Sequence, residues 1–166
     1  MAGNDALEVY LNDHKAGATA AVELIDRLIS NNAGTPLAAH LEGVLREVKA
    51  DNETLATVME RLGVAQSRLK QAAGNVLETL SRFRLNERVT GSADVSRLME
   101  LETLCLGVEG KASLWRSLQQ VESSRPELST FDLHVLVSRA SEQREGLEPF
   151  RLEAAASAFS PSPPAG

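Results

Sequence analysis

The sequence predicts an all-α fold, a four-helix bundle with an additional helix crossing between the second and third bundle helices, on three observations. Apolar residues recur in a seven-residue pattern in three separate segments, the period that keeps one face of a helix against its neighbours. Short groups of Asn, Gly, Thr, Ser and Pro punctuate those segments and leave little room for strands. Of 166 residues 43% are hydrophobic but only 4% aromatic, so Leu, Val and Ala must fill one sizeable core and a single domain is expected.

The first helix should run from about Asp5 to Ser30 with Leu7, Leu11, Ala18, Ala21, Ile25 and Leu28 on its stripe; His14 stands where another apolar residue is due. Asn31, Asn32 and Gly34 stop it. Thr35 followed by Pro36 is a start signal, a hydroxyl N-cap and then proline at the first helical position. The second helix then reaches about Leu62 through Leu37, Leu41, Val44, Val48, Leu55 and Val58, with Asp51 interrupting the stripe and Gly63 as a C-terminal cap. A new pattern, Leu69, Ala73, Val76, Leu77, Leu80 and Phe83, predicts the crossover helix, and Thr90, Gly91 and Ser92 end it.

The third helix, about Asp94–Val121, carries Val95, Leu98, Cys105 and Ala112, with Glu102 and Glu109 on the same stripe. Glu122 to Ser129, which contains Pro126, breaks the chain, and the fourth helix starts behind Ser129 or Thr130. Its stripe is Leu133, Leu136, Ala140, Leu147, Phe150 and Ala154, with Gln143 as the polar member. Gly146 and Pro149 lie inside it, and the proline predicts a kink near Glu145. Residues 160–166 are only Pro, Ser, Ala and Gly and cannot bury enough apolar area to order themselves, so the bundle domain is 1–159 followed by a disordered tail.

Seventeen basic against 23 acidic residues, net −6, argue against a nucleic-acid surface, and Arg82, Arg84 and Arg88 read as a solvated helix end. Cys105 is the only cysteine, so no internal disulfide forms, and its place on an apolar stripe suggests a buried thiol. The first residues lack the features of a secretory signal, and no stretch approaches the roughly 18 apolar residues that span a bilayer. A cytoplasmic protein with no membrane partner is expected; a homo-oligomer is compatible.

The polar members of the stripes fall at matching depths. Counting back equally from the turn near Gly34 sets His14 close to the height of Asp51. If the crossover returns the chain to the other end of the bundle, the third helix is parallel to the second, and Glu109 and Gln143 fall near the same level. Glu102 lies about two turns along the third helix and Glu47 one turn before Asp51. Charged groups inside a bundle cost several kcal/mol unless they are paired or bind an ion.

Two antiparallel helical pairs joined by a long crossover, together with Leu11-Asn-Asp-His-Lys-Ala-Gly-Ala and Gly107-Val-Glu-Gly-Lys, resemble the ferritin-like superfamily, and in particular its uncharacterised bacterial members, over about Leu7 to Phe159. In metal-oxidising members a glutamate from each of two helices joins a Glu-x-x-His pair from each of the other two at a dimetal centre. That motif is missing here: His14, His40 and His134 are preceded at the required spacing by Leu11, Leu37 and Phe131. The corresponding segments read Glu47-Val-Lys-Ala50 and Glu142-Gln-Arg-Glu145.

For His14 the preferred reading is a core histidine hydrogen-bonded to Asp51; the alternative is a metal ligand, with Asp51 and Glu109 and secondarily Glu47 and Glu102, in a pocket suited to iron, manganese or zinc. Glu102 and Glu109 are equally able to pair with Arg144 or Lys111 at the bundle edge. Trp115 reads as core, and there is no Gly-rich phosphate loop, nucleophile elbow or cysteine-rich zinc pattern. The expected function is a noncatalytic helical-bundle protein with a partner-binding or structural role and no cofactor. The alternative is a metal-binding relative with an altered centre in metal or oxidant handling.

Overall fold

The computed structural model describes residues 2–65 and 93–160, without the side chains of residues 2–5. Among them all regular structure is helical: α1 is Ala2–Asn31, α2 Pro36–Arg61, α3 Ala93–Val121 and α4 Leu133–Phe159. Two 3-10 turns, Glu122–Ser124 and Pro126–Leu128, join α3 to α4. The predicted crossover helix with its basic group, and the tail beyond Ser160, lie outside the described residues.

Local chemistry sets the ends. Thr35 Oγ1 accepts the Ala38 N–H at 3.3 Å with Pro36 opening α2. Gly34 and Gly63 sit at φ +81° and +65°, left-handed conformations that a side chain would strain. α4 begins later than the sequence suggested, because Asp132, not Ser129 or Thr130, is its cap: the carboxylate accepts the Val135 N–H at 3.0 Å. Pro149 does not end α4, which continues to Phe159.

Side-chain pairs between helices reveal the topology. Lys15 of α1 reaches Asn52 of α2, while Arg27 reaches Glu100 and Tyr10 reaches Ser117 of α3, so α1 is antiparallel to both. Lys111 bonds Gln143 and Arg151 bonds Glu102, which makes α3 and α4 antiparallel. It follows that α2 and α3 are parallel and that the connection between them joins opposite ends of helices about 40 Å long. α3 and α4 form the most extensive helix pair, followed by α1 with α2.

The core is divided in two. One cluster holds Leu24, Ile25, Leu41, Val48, Leu104, Val108 and Ala140; the other holds Leu11, Leu55, Met59, Leu114, Trp115, Leu118 and Leu136. Between them stand the polar residues of α2, α3 and α4. Where α4 meets α2 the packing is tight: a Cβ on Gly146 would lie 2.9 Å from His40 Cε1, and the His40 ring leans on Phe150 at 5.1 Å. Only glycine admits that approach, which explains the glycine within α4.

The α2 stripe is buried as predicted, including Asp51. In α3 the expected stripe is displaced on one side. Leu98, Leu101, Cys105, Val108, Ala112 and Trp115 form a buried seam that steps by three and then four residues, Leu104, Leu114 and Leu118 are buried beside it, and Glu102 and Glu109 flank it. In α1 the middle of the seam is Ala16, Ala20 and Leu24, while His14, Ala18 and Ala21 are only half-buried.

Candidate functional site

Asp51 is the centre of the polar layer, its side chain 1% exposed. Leu55 and Val48 on the same face of α2 carry it inward, and both of its oxygens are taken: Lys111 Nζ donates to Oδ2 at 2.5 Å and Arg139 Nη1 to Oδ1 at 2.7 Å. Lys111 also donates to Gln143 Oε1 at 2.5 Å, and Gln143 Nε2 donates to Glu47 Oε2 at 2.8 Å. Three helices are thus cross-linked through two carboxylates, one ammonium, one guanidinium and one amide. Gln143 stands at the level of Asp51 as expected.

The expected hydrogen bond between His14 and Asp51 is not formed; Lys111 and Arg139 bond the carboxylate instead. The count was right in height, since the neighbouring residues Lys15 and Asn52 do bond, at 2.5 Å between Nζ and Oδ1. His14 instead meets the Tyr10 ring edge-on at 4.6 Å. Glu109 does not belong to the layer: it is 55% exposed and accepts from Arg116 at 2.9 Å. Two residues on an α-helix are about 200° apart, so Lys111 faces inward where Glu109 faces out. Glu102 meets Arg151 at the bundle edge rather than Arg144 or Lys111. Glu47 enters the layer only through Gln143. Among the described residues no group of three or more His, Cys, Asp and Glu side chains is placed to hold a metal ion.

Sequence reasoning missed Lys111 and Arg139 as inward-facing partners. The signal for Lys111 was its spacing, three residues after Val108 and four before Trp115, both on the seam. Arg139 precedes Gln143 by four residues and shares its side of α4.

On the α1 side of the layer the helices do not close. A cavity of about 310 Å³ lies between α1, α2 and α3. Apolar groups dominate its walls, among them Leu24, Val48, Leu55, Leu104 and Trp115, while His14, Asp51, Thr103 and Lys111 also border it. Gly17 of α1 and Gly107 and Gly110 of α3 line the same space, and a Cβ at any of them would meet no heavy atom of the described residues within 4 Å. Trp115 is 1% exposed, as its core reading required, yet its Nε1 has no hydrogen-bond partner among the described residues.

Burial pushes the Lys111 ammonium below its ordinary pKa, and Asp51 opposes that shift through charge and hydrogen bonding. Burial likewise lowers the His14 imidazole, against a smaller opposing pull from Asp13 at the cavity rim. The buried Cys105 thiol is raised by desolvation, which makes it less nucleophilic. At the opposite edge of α3 and α4, Arg151 and Arg144 hold the Glu148 carboxyl down to about 2.

Comparison with family models, with curated proteins and with solved structures finds no match to this chain. No helix among the described residues is long and apolar enough to cross a membrane.

Proposed function

We propose that the chain is a noncatalytic helical-bundle protein of ferritin-like topology with a partner-binding or structural role, in which the charged layer holds the helices in register. The topology supports the ferritin-like part of this reading: two antiparallel pairs, with α2 and α3 parallel, are the arrangement that a long crossover produces. The observation that carries the functional part is the double occupation of Asp51 by Lys111 and Arg139. A buried acid neutralised by two cations from two other helices penalises any slip of one helix past another, since a one-residue slip strands at least one charge.

The residues do not fit the dimetal centre of metal-oxidising ferritin-like proteins. No Glu-x-x-His pair exists, Glu109 faces solvent, and the inward carboxylate has ammonium and guanidinium groups where a metal would need open lone pairs. The reading is tested by thermal melting with manganese, ferrous iron and zinc on protein without a histidine tag. The expected result is no saturating rise in Tm. A rise that saturates near one metal per chain and vanishes in His14→Ala overturns it in favour of an altered metal site.

A further inference from the structure

The cavity on the α1 side of the layer is bounded in a way that helix packing does not require. Gly17, Gly107 and Gly110 stand inside helices, where glycine is a poor residue, and none is there to let a neighbour approach, because a Cβ at each meets nothing. Gly146 is the contrast, held to glycine by the His40 ring. The three glycines border open volume, and that volume is near 310 Å³. At roughly 30 Å³ per non-hydrogen atom, the share of a water molecule in the liquid, it holds about ten such atoms.

The walls also specify a chemistry. Their apolar residues come from all three helices, which suits a hydrocarbon or aromatic body. Two donors on the walls have capacity to spare. Lys111 carries three N–H bonds, of which Asp51 and Gln143 take two. Trp115 Nε1–H is buried and has no partner among the described residues. Asp51, the acid at the cavity wall, is already matched by Lys111 and Arg139, and Glu47, whose charge also acts on Lys111, balances the layer, so what the wall offers is a free N–H donor rather than a net charge. Asp13 at the rim disfavours an anion at the mouth and leaves the Lys111 wall as the place for one.

We propose that this cavity is a binding site for a small apolar monocarboxylate of about ten non-hydrogen atoms, its body against Leu24, Leu55 and Leu104 and its carboxylate accepting from Lys111. The site extends the noncatalytic reading by giving the bundle a ligand. It stands apart from the metal question, because its test reads Trp115 rather than a metal-dependent melt.

Trp115 is the only tryptophan in the chain, so its indole N–H gives a single signal at the cavity wall in a nitrogen-15 correlation spectrum. The probes are octanoate and 3-phenylpropanoate, with octan-1-ol as the neutral counterpart. At least one carboxylate is expected to shift the signal saturably at one molecule per chain, with octan-1-ol weaker by about tenfold, as the loss of a charge-assisted hydrogen bond implies. Gly110→Leu, which extends a side chain into the open space, should abolish the shift while helical content by circular dichroism is unchanged. No saturable shift with either carboxylate overturns the site. Octan-1-ol binding as tightly as octanoate overturns the carboxylate assignment, and a shift that survives in a folded Gly110→Leu protein places the binding elsewhere and overturns the cavity.

Discussion

At one height of the bundle the two sides of the charged layer are built by opposite rules. Between α2, α3 and α4, Asp51, Lys111, Arg139, Gln143 and Glu47 are joined by hydrogen bonds, and about three turns from Asp51 along α2 Gly146 brings α4 against His40. Between α1 and α3, at the same level, glycines border a cavity and the Trp115 Nε1 has no partner among the described residues. On the closed side the charged and amide groups of the layer are shielded from water and matched to one another, whereas His40 Nε2 beside Gly146 has no hydrogen-bond partner among the described residues. On the open side the glycines relax the demand for packing and leave room for an occupant. A buried charge cluster is thus not by itself a site; the empty volume beside it is the better guide.

The largest expected effect comes from breaking the closed side. Asp51→Ala leaves Lys111 and Arg139 without their acid and should cost about 3 kcal/mol in urea denaturation, at the low end for a buried pair because the Arg139 side chain is 33% exposed. Replacing Asp51 by Leu together with Lys111 by Met should recover most of that loss, since an apolar pair has no desolvation to offset. If the double variant falls further than Asp51→Ala, the layer contributes stability rather than register.

Glycine substitutions sharpen the contrast. Gly146→Ala drives a methyl into the His40 ring and should destabilise by about 1–3 kcal/mol. Gly110→Ala meets no atom and should stabilise by about 0.5–1 kcal/mol through helix propensity alone. Equal signs for the two in parallel denaturation curves would contradict the division into a closed and an open side.

The smallest effect is a pH dependence at the cavity. Burial lowers the folded-state pKa of His14 while the unfolded value stays near 6.5. Between those two values the unfolded chain binds more protons, so stability rises with pH across that window, and the penalty for charging His14 is complete below the folded pKa. His14→Gln should flatten that slope. A profile unchanged by the substitution would show that the imidazole is equally solvated in both states. Lys111 has the same sign in the alkaline range: stability attributable to it rises as pH climbs from its lowered folded value toward about 10.4.

Periodicity and punctuation alone determined the four helices of the described residues, the caps at Thr35 and Gly63, the complete α2 stripe, and the depth of the layer to within two residues, because each depends on spacing along one chain. The buried residues of α4 were equally legible, although the reason for Gly146 was not, since it lies on another helix. Rotation about the helix axis was harder to read. In α3, Leu101, Val108 and Trp115 were available as seam positions, but the frame through Glu102 and Glu109 also fits a seven-residue repeat, and one residue turns a side chain by about 100°. In α1 small residues on several faces blurred the stripe. The partners of Asp51 and the existence of the cavity were decided only in the tertiary structure: which cation reaches a buried acid, and whether two small-residue faces close or stand apart, depend on how helices distant in sequence approach each other, and no single helix carries that information.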